Sequence, residues 1–182
     1  MSLKRTPSSG AIVREVMHSG SVGMAAFVAG DYAVPPNVAP GATNQITTAM
    51  NAITRAIWAV RMQNDGAVVG ITAKNRTATG VDPTDLVTYE VVKILASDVG
   101  FATPIVLGGS TVPFVPAPGS LKATIANTST TAVKGALAVN DAASGSYLAG
   151  DYLIVQAVIT KVGGLSVAPG AVDVELEFVE AR

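Results

Sequence analysis

The chain has 182 residues, enough for one domain with a sizeable core, and it contains no cysteine and one histidine. These counts exclude disulfides, thiolate metal sites and a cysteine nucleophile. Charged residues make up 14% of the chain, against roughly 25% in typical soluble domains, and the net charge is −1. A net charge this small predicts no nucleic-acid partner and no anionic membrane partner, and the uncharged surface favours a subunit that associates with other proteins.

The N-terminal residues predict an extended arm over residues 1–20, followed by a single β-rich domain over residues 21–182. The arm carries three basic residues, Lys4, Arg5 and Arg14. Because Arg14 and the glutamate after it interrupt the apolar run, the arm lacks a secretory signal, and we expect a protein made and used without Sec export.

His18 follows in the sequence Met17-His18-Ser19-Gly20, which matches no nucleophile–base arrangement. We therefore expect a structural or exposed histidine.

The tetrapeptide AGDY occurs twice, as Ala29–Tyr32 and as Ala149–Tyr152. In both copies, the glycine and aspartate favour a turn that starts an extended segment at the tyrosine. A strand is expected after the second copy. After the first copy, Pro35 and Pro36 stop strand pairing, which predicts an exposed connection that reaches a neighbouring molecule. The flanking sequences are similar but spaced differently, so an internal duplication remains an alternative.

Residues 43–62 fit two patterns. Their apolar positions form a helical stripe, but the Asn-Asp-Gly turn after them favours a hairpin between residues 53–62 and residues 67–74. We predict the hairpin, with a short helix at about residues 44–52 as the alternative. Trp58 is predicted to lie in the core or at an interface.

Residues 86–95 are rich in β-branched and aromatic residues and predict a strand, although Asp82-Pro83 before them could open a helix. Short apolar pieces separated by Gly, Pro, Asn or Ser then predict further strands within residues 104–107, 110–116, 120–127 and 132–139.

Two stretches without charge, residues 32–54 and 99–121, have the length of a membrane span, but their prolines and polar residues exclude a transmembrane helix.

The C-terminal region predicts two strands, over residues 152–161 and 172–179, with Gly and Pro turn residues between them that favour an antiparallel pair. In the second strand, apolar residues alternate with Asp173, Glu175 and Glu177. This acidic row, which Glu180 continues, indicates a solvent-facing side or an edge protected from pairing. The alternative is docking of a basic arm from a neighbouring subunit. The candidate intersubunit contacts are therefore Lys4, Arg5, Arg14, Asp173, Glu175 and Glu177.

Together these segments predict a mainly β fold, an antiparallel β-sandwich or barrel of jelly-roll-like or Ig-like type, with the extended arm and at most one or two short helices.

The sequence predicts no catalytic residue, no cofactor and no metal site. Asp82 and Asp85 are expected in a cap or turn. Asn64-Asp65 and the other acidic turns lack the spacing of a calcium loop. Residues 108–111 lack the lysine of a phosphate loop.

The basic arm MSLKRTPSSGAIVREVM and the C-terminal region LAGDYLIVQAVITKVGGLSVAPGAVDVELEFVEAR give the chain a style that resembles the virion structural proteins of tailed bacteriophages, most of all the capsid decoration, or cement, proteins. The resemblance implies a β-rich homo-oligomer, often a trimer, that binds the major capsid protein on the outer capsid surface and clamps neighbouring subunits. It also implies assembly in the bacterial cytoplasm and localisation in the virion. No residue role follows from it.

Other functions stay open. A tail or baseplate subunit or a capsid jelly roll belongs to the same class, whereas an adhesin or carbohydrate-binding module belongs to another. An enzyme is the least favoured reading.

Overall fold

The computed structural model describes residues 28–35, 46, 48–78, 82–108, 120–137, 142–162 and 172–180. Within these ranges the chain forms ten strands, one α-helix and a 3-10 turn. In chain order they are β1 (Gly30–Val34), α1 (Ala52–Trp58), β2 (Val60–Arg61), β3 (Gly66–Asn75), β4 (Leu86–Ile94), β5 (Ile105–Val106), β6 (Lys122–Ala126), β7 (Val133–Ala136), the 3-10 turn (Ala142–Gly145), β8 (Ser146–Tyr147), β9 (Tyr152–Thr160) and β10 (Val172–Glu180).

The strands form two antiparallel sheets that pack against each other. In the six-stranded sheet, β4 and β9 pair along their whole length, β1 and β2 lie beyond β9, and β5 and β6 lie beyond β4. In the four-stranded sheet, β3 pairs with β10 on one side and with β7 and β8 on the other. The predicted mainly β sandwich is confirmed, and the predicted arm over residues 1–20 lies outside the described residues.

The main core lies between the sheets and follows from the period of two in the long strands. β4 turns Val87, Tyr89 and Val91 inward, and β10 turns its alternate apolar residues towards them. Each valine, leucine or phenylalanine side chain among them contributes roughly 1.5–3 kcal/mol when it is fully buried. The inward members from β10 are Val172, Val174, Leu176 and Phe178.

One side of the sandwich is closed because β6 packs against both β3 and β7. The backbones approach so closely there that a side chain at Gly135 would collide with the backbone of Lys122. The opposite side holds the last strand of each sheet, β1 and β10. The two long sides of the sandwich therefore differ, and on the side away from β6 and β7 residues 48–50 hydrogen-bond to β1.

The predicted hairpin between residues 53–62 and 67–74 is wrong in its first half. Residues 52–58 form α1, because the side chain of Asn51 accepts a hydrogen bond from the Thr54 amide and starts the helix. The strand expected within residues 67–74 is present as β3, but it pairs in the other sheet from β2. The turn after Met62 therefore carries the chain between sheets. The alternative, a short helix at about residues 44–52, is not present in residues 48–51, and the helix begins at Ala52.

The predicted pairing of the two C-terminal strands is also wrong. Both strands exist, as β9 and β10, but β9 lies between β4 and β1 while β10 pairs with β3. The connection between them crosses from one sheet to the other, because the apolar faces of both strands are buried against opposite sides of the same core.

The other strand predictions are confirmed where the structure describes their residues. The strand over residues 86–95 is confirmed as β4, and Asp82-Pro83 forms a turn rather than a helix. The segments at 104–107, 120–127 and 132–139 contain β5, β6 and β7. The segment 110–116 lies outside the described residues.

Candidate assembly surface

Helix α1 exposes two of its apolar residues and buries two of its polar ones. Ile53 and Ile57, one turn apart, are 73% and 70% exposed, whereas Thr54 and Arg55 are buried. The Arg55 Nε donates to the carbonyl oxygen of Phe101 at 2.8 Å, and the Thr54 hydroxyl donates to the carbonyl oxygen of Ala49 at 3.0 Å. A helix that packs on a domain normally buries its apolar side chains and exposes its polar ones. The two isoleucines of α1 are instead exposed and free to contact another molecule.

Helix α1 rests on the outer face of the six-stranded sheet. A second, smaller apolar cluster is buried there, and Trp58 packs against it, as does the Phe101–Tyr152 pair with its ring centroids 5.0 Å apart. Trp58 therefore lies at the rim of a buried cluster, which agrees with the prediction of a core or interface position. The buried members of this cluster are Ala33, Val92, Ile94 and Ile154.

Further exposed apolar side chains lie at the same end of the sandwich, where β4 ends and β9 begins. Leu95 and Val99 follow β4, and Leu148 precedes β9. The Asp151 carboxylate ties these two turns together, because it accepts hydrogen bonds from the amides of Ala96 and Leu148. We define the α1 surface as Ile53, Ile57, Val60, Leu95, Val99 and Leu148. These residues lie on α1 and on the turns at this end of the sandwich, and exposed apolar side chains are typical of an interaction site where they form one patch.

The sequence analysis missed this surface. The signal was present, since Ile53 and Ile57 are spaced by four residues directly after the helix-starting Asn51. The strand assignment of residues 53–62 would have placed these two isoleucines together on one face of a strand, so their exposure was not foreseen.

The predicted acidic row lies on the outward side of β10, and two of its members have partners within the chain. Asp173 binds the guanidinium of Arg76, and this hydrogen bond, with the charge of Asp173, raises the pKa of Arg76. Glu177 binds the Lys134 ammonium at 2.8 Å. Glu175 has no hydrogen bond or ion pair with any residue the structure describes. Lys4, Arg5 and Arg14 lie outside the described residues.

Glu177 reaches Lys134 across an intervening strand. Lys134 is on β7 and Glu177 on β10, with β3 between them. Gly70 of β3 makes this possible, because a side chain there would lie 2.8 Å from the Glu177 carboxylate oxygen. The pair is partly exposed, so its contribution to stability is small.

A buried charged cluster on the outer face of the six-stranded sheet has a structural explanation. Glu90 is bound by the Lys122 ammonium at 2.8 Å and by the Gln156 side-chain amide. These three residues face one another in register on β6, β4 and β9. The carboxylate is therefore paired and hydrogen-bonded, as a buried charge must be.

Asp82, Asp85 and Tyr89 have roles in the structure of the fold. The Asp82 carboxylate accepts hydrogen bonds from the hydroxyl and amide of Thr84, which lower the pKa of Asp82. Asp85 accepts a hydrogen bond from the Val162 amide. Burial between the sheets raises the pKa of Tyr89. Asp82 thus stabilises the turn, as predicted, whereas the Asp85 side chain joins the start of β4 to the end of β9.

In the described parts of the chain, no group of three or more His, Asp or Glu residues is placed to hold a metal ion. No described helix is long and apolar enough to cross a membrane. Comparisons of the chain with protein-family models, with curated proteins and with solved structures found no match.

Proposed function

We propose that the protein is a non-enzymatic virion structural protein that binds the outer surface of a phage capsid and stabilises the shell by clamping neighbouring major capsid subunits. The observation that carries the proposal is the α1 surface, whose exposed Ile53 and Ile57 stand on a helix held down by its polar side. The low charge of the chain supports association, and its resemblance to cement proteins supports the capsid as the partner.

The energetics suit a subunit that acts in many copies. Burying one isoleucine side chain contributes roughly 1.5–3 kcal/mol, which is modest for a single contact. A homo-oligomer, which we propose to be a trimer, would present the α1 surface several times, and linked contacts multiply in effect without any single strong site.

The test is binding of purified protein to undecorated capsids of tailed phages, measured by co-sedimentation, with the oligomeric state measured by light scattering. The double variant Ile53→Ser/Ile57→Ser should weaken the free energy of capsid binding by about 3 kcal/mol in total, because two apolar side chains are no longer buried in the contact. Its folding should be unchanged, since both side chains are exposed.

Val162→Ser is the matched control. Val162 is 69% exposed, like the two isoleucines, but it lies at the other end of β9. The Val162→Ser variant should therefore bind capsids as the wild type does. Equal binding by the double variant and the wild type would remove the α1 surface from the proposal. A monomer that ignores capsids and binds glycans would instead favour the adhesin or carbohydrate-binding function.

A further inference from the structure

Three polar side chains are fully buried at one end of the core, and both sheets contribute to them. Asn75 is the last residue of β3, in the four-stranded sheet. Asp85 directly precedes β4 and Asn127 directly follows β6, both in the six-stranded sheet. Amides and carboxylates are stable in a core only when their polar atoms are bound. The oxygen atoms of this cluster therefore require binding partners.

Asp85 and Asn127 face each other across the pair of β4 and β6. Leu86 pairs with Ala126, and one residue further along the Asn127 amide donates to the carbonyl oxygen of Asp85 at 2.9 Å. Directly opposed residues of antiparallel strands have their Cβ atoms about 4.5–5.5 Å apart. The carboxylate of Asp85 and the side-chain amide of Asn127 are therefore close enough to share one ligand.

Asn75 reaches the same place from the other sheet. Its side-chain Nδ2 donates to the carbonyl oxygens of Ala126 at 3.3 Å and Ser129 at 3.0 Å, in the turn that contains Asn127. These two bonds fix the orientation of the amide, because the flipped amide would set Oδ1 against two carbonyl oxygens. The Oδ1 of Asn75 is buried and accepts no hydrogen bond from any residue in the described ranges. It is an oxygen atom that a ligand can use.

We propose that this end of the core binds a calcium ion through the Oδ1 of Asn75, the carboxylate of Asp85 and the Oδ1 of Asn127. Calcium binds carboxylate and amide oxygens, and the absence of sulfur and imidazole from this set disfavours zinc. Calcium takes about six to eight oxygen ligands, so backbone carbonyl oxygens or water would supply the others. The ion would join the two sheets where their strands end.

The hydrogen bond that Asp85 already accepts is compatible with this role. The Val162 amide donates to the Oδ1 of Asp85 at 2.6 Å. Carboxylates that bind a metal ion commonly accept hydrogen bonds as well, and these bonds hold the ligand in position. The charge of the ion would in turn stabilise the buried carboxylate. The site does not depend on the capsid role, because it lies inside one chain.

Calcium-dependent thermal stability tests the proposal. The protein is treated with a chelator, dialysed and melted with increasing CaCl2, and isothermal titration calorimetry gives the stoichiometry, expected to be one ion per chain. At about 100 times the dissociation constant, Tm of the wild type should rise by about 5–10 °C. Asp85→Asn keeps the size of the side chain and an acceptor for Val162 but removes the charge, and should abolish the rise. The matched control Asp82→Asn changes the carboxylate of the neighbouring turn and should keep it.

A second variant tests the site by gain of binding and does not depend on the folding of Asp85→Asn. Asn127→Asp supplies a second carboxylate and should tighten calcium binding by about tenfold, because affinity increases with the charge of the ligands. Three outcomes would overturn the proposal: no rise in Tm of the wild type at about 10 mM CaCl2, which exceeds the range of weak protein sites; a rise of the same size in Asp85→Asn; or weaker calcium binding by Asn127→Asp.

Discussion

The two AGDY segments start neighbouring strands of one sheet, but their surroundings differ. The first starts β1, which lies beside β9 and is joined on its other side by a short bridge to residues 48–50, and the second starts β9, in the interior of the sheet. Asp31 is exposed, whereas Asp151 is buried and holds two amides, those of Ala96 and Leu148, at 3.0 Å. The same four residues therefore serve as an ordinary strand start at the edge and as a junction in the interior.

The backbone around the second copy strengthens this junction. The amide of Gly150 donates to the carbonyl oxygen of Met62, and the Met62 amide donates to the carbonyl oxygen of Asp151, each at 2.8 Å. The Ala149 amide donates to the carboxylate of Asp65. The turn before β9 thus fixes the turn before β3 and the turn after β4 together. The comparison teaches that position in the sheet, and not the tetrapeptide, sets the role of the aspartate.

Replacing the two aspartates tests the comparison most strongly. Asp151→Ala should lower the free energy of unfolding by about 3 kcal/mol, because two partly buried amides lose a charged acceptor. Asp31→Ala, at the exposed copy, should change it by less than about 0.5 kcal/mol. Urea denaturation of both variants measures the difference. Equal losses at the two positions would contradict the distinct roles assigned to them.

The glycines of the two copies offer a smaller test. Gly150 has φ 95° and Gly30 has φ 151°, and L-amino acids rarely adopt either value. A Cβ at Gly150 would touch the Ala96 Cβ at an ordinary 3.4 Å, so the cost of Gly150→Ala is conformational, about 1–2 kcal/mol. Gly30→Ala should cost about 1 kcal/mol or less, because the first residue of an edge strand can relax.

The same urea series measures both glycine variants. A larger loss for Gly30→Ala than for Gly150→Ala would show that the edge copy is the more constrained one, and would reverse the comparison.

The sequence was informative where burial follows the local pattern. β10 alternates apolar and acidic residues, so its period and its outward acidic side were predictable from its own residues. Its partner strand was not, because Gly and Pro residues between two strands favour a turn equally well within one sheet or between two sheets. The pairing of β1 with β9 was also unpredictable, because it joins segments far apart in the sequence.

Helix α1 shows a different limit of prediction. Of its apolar residues, Trp58 packs against the domain but the two isoleucines are exposed, while a threonine and an arginine are buried, so its hydrophobic pattern does not predict its burial. The helix is held by the Asn51 cap, by the packing of Trp58 on the outer cluster and by the hydrogen bond from Arg55 to Phe101, a contact across 46 residues of sequence. In the sequence of a single chain, apolar residues that form an interface look the same as apolar residues that form a core.

The loop that supports α1 should respond to acid, and this is the smallest effect in the comparison. Phe101 has φ 52°, an unfavourable value for a residue with a side chain, and Asp98 stabilises the turn around it. The Asp98 carboxylate accepts hydrogen bonds from the amides of Thr103 at 2.7 Å and Ala102 at 3.3 Å. The bond from Thr103, foremost, lowers the pKa of Asp98.

Because the pKa of Asp98 is lower in the folded protein than in the unfolded chain, the carboxylate stabilises the loop above the unfolded value of about 3.9. This stabilisation is lost as the pH falls through the folded pKa. The amide proton of Thr103, followed by NMR from pH 6 to pH 2, should therefore titrate below pH 3.9 and become more solvent-exchangeable. Asp98→Asn should abolish this titration, whereas Asp31→Asn should leave it unchanged. A Thr103 amide that titrates in the same way in Asp98→Asn would mean that another group holds the loop.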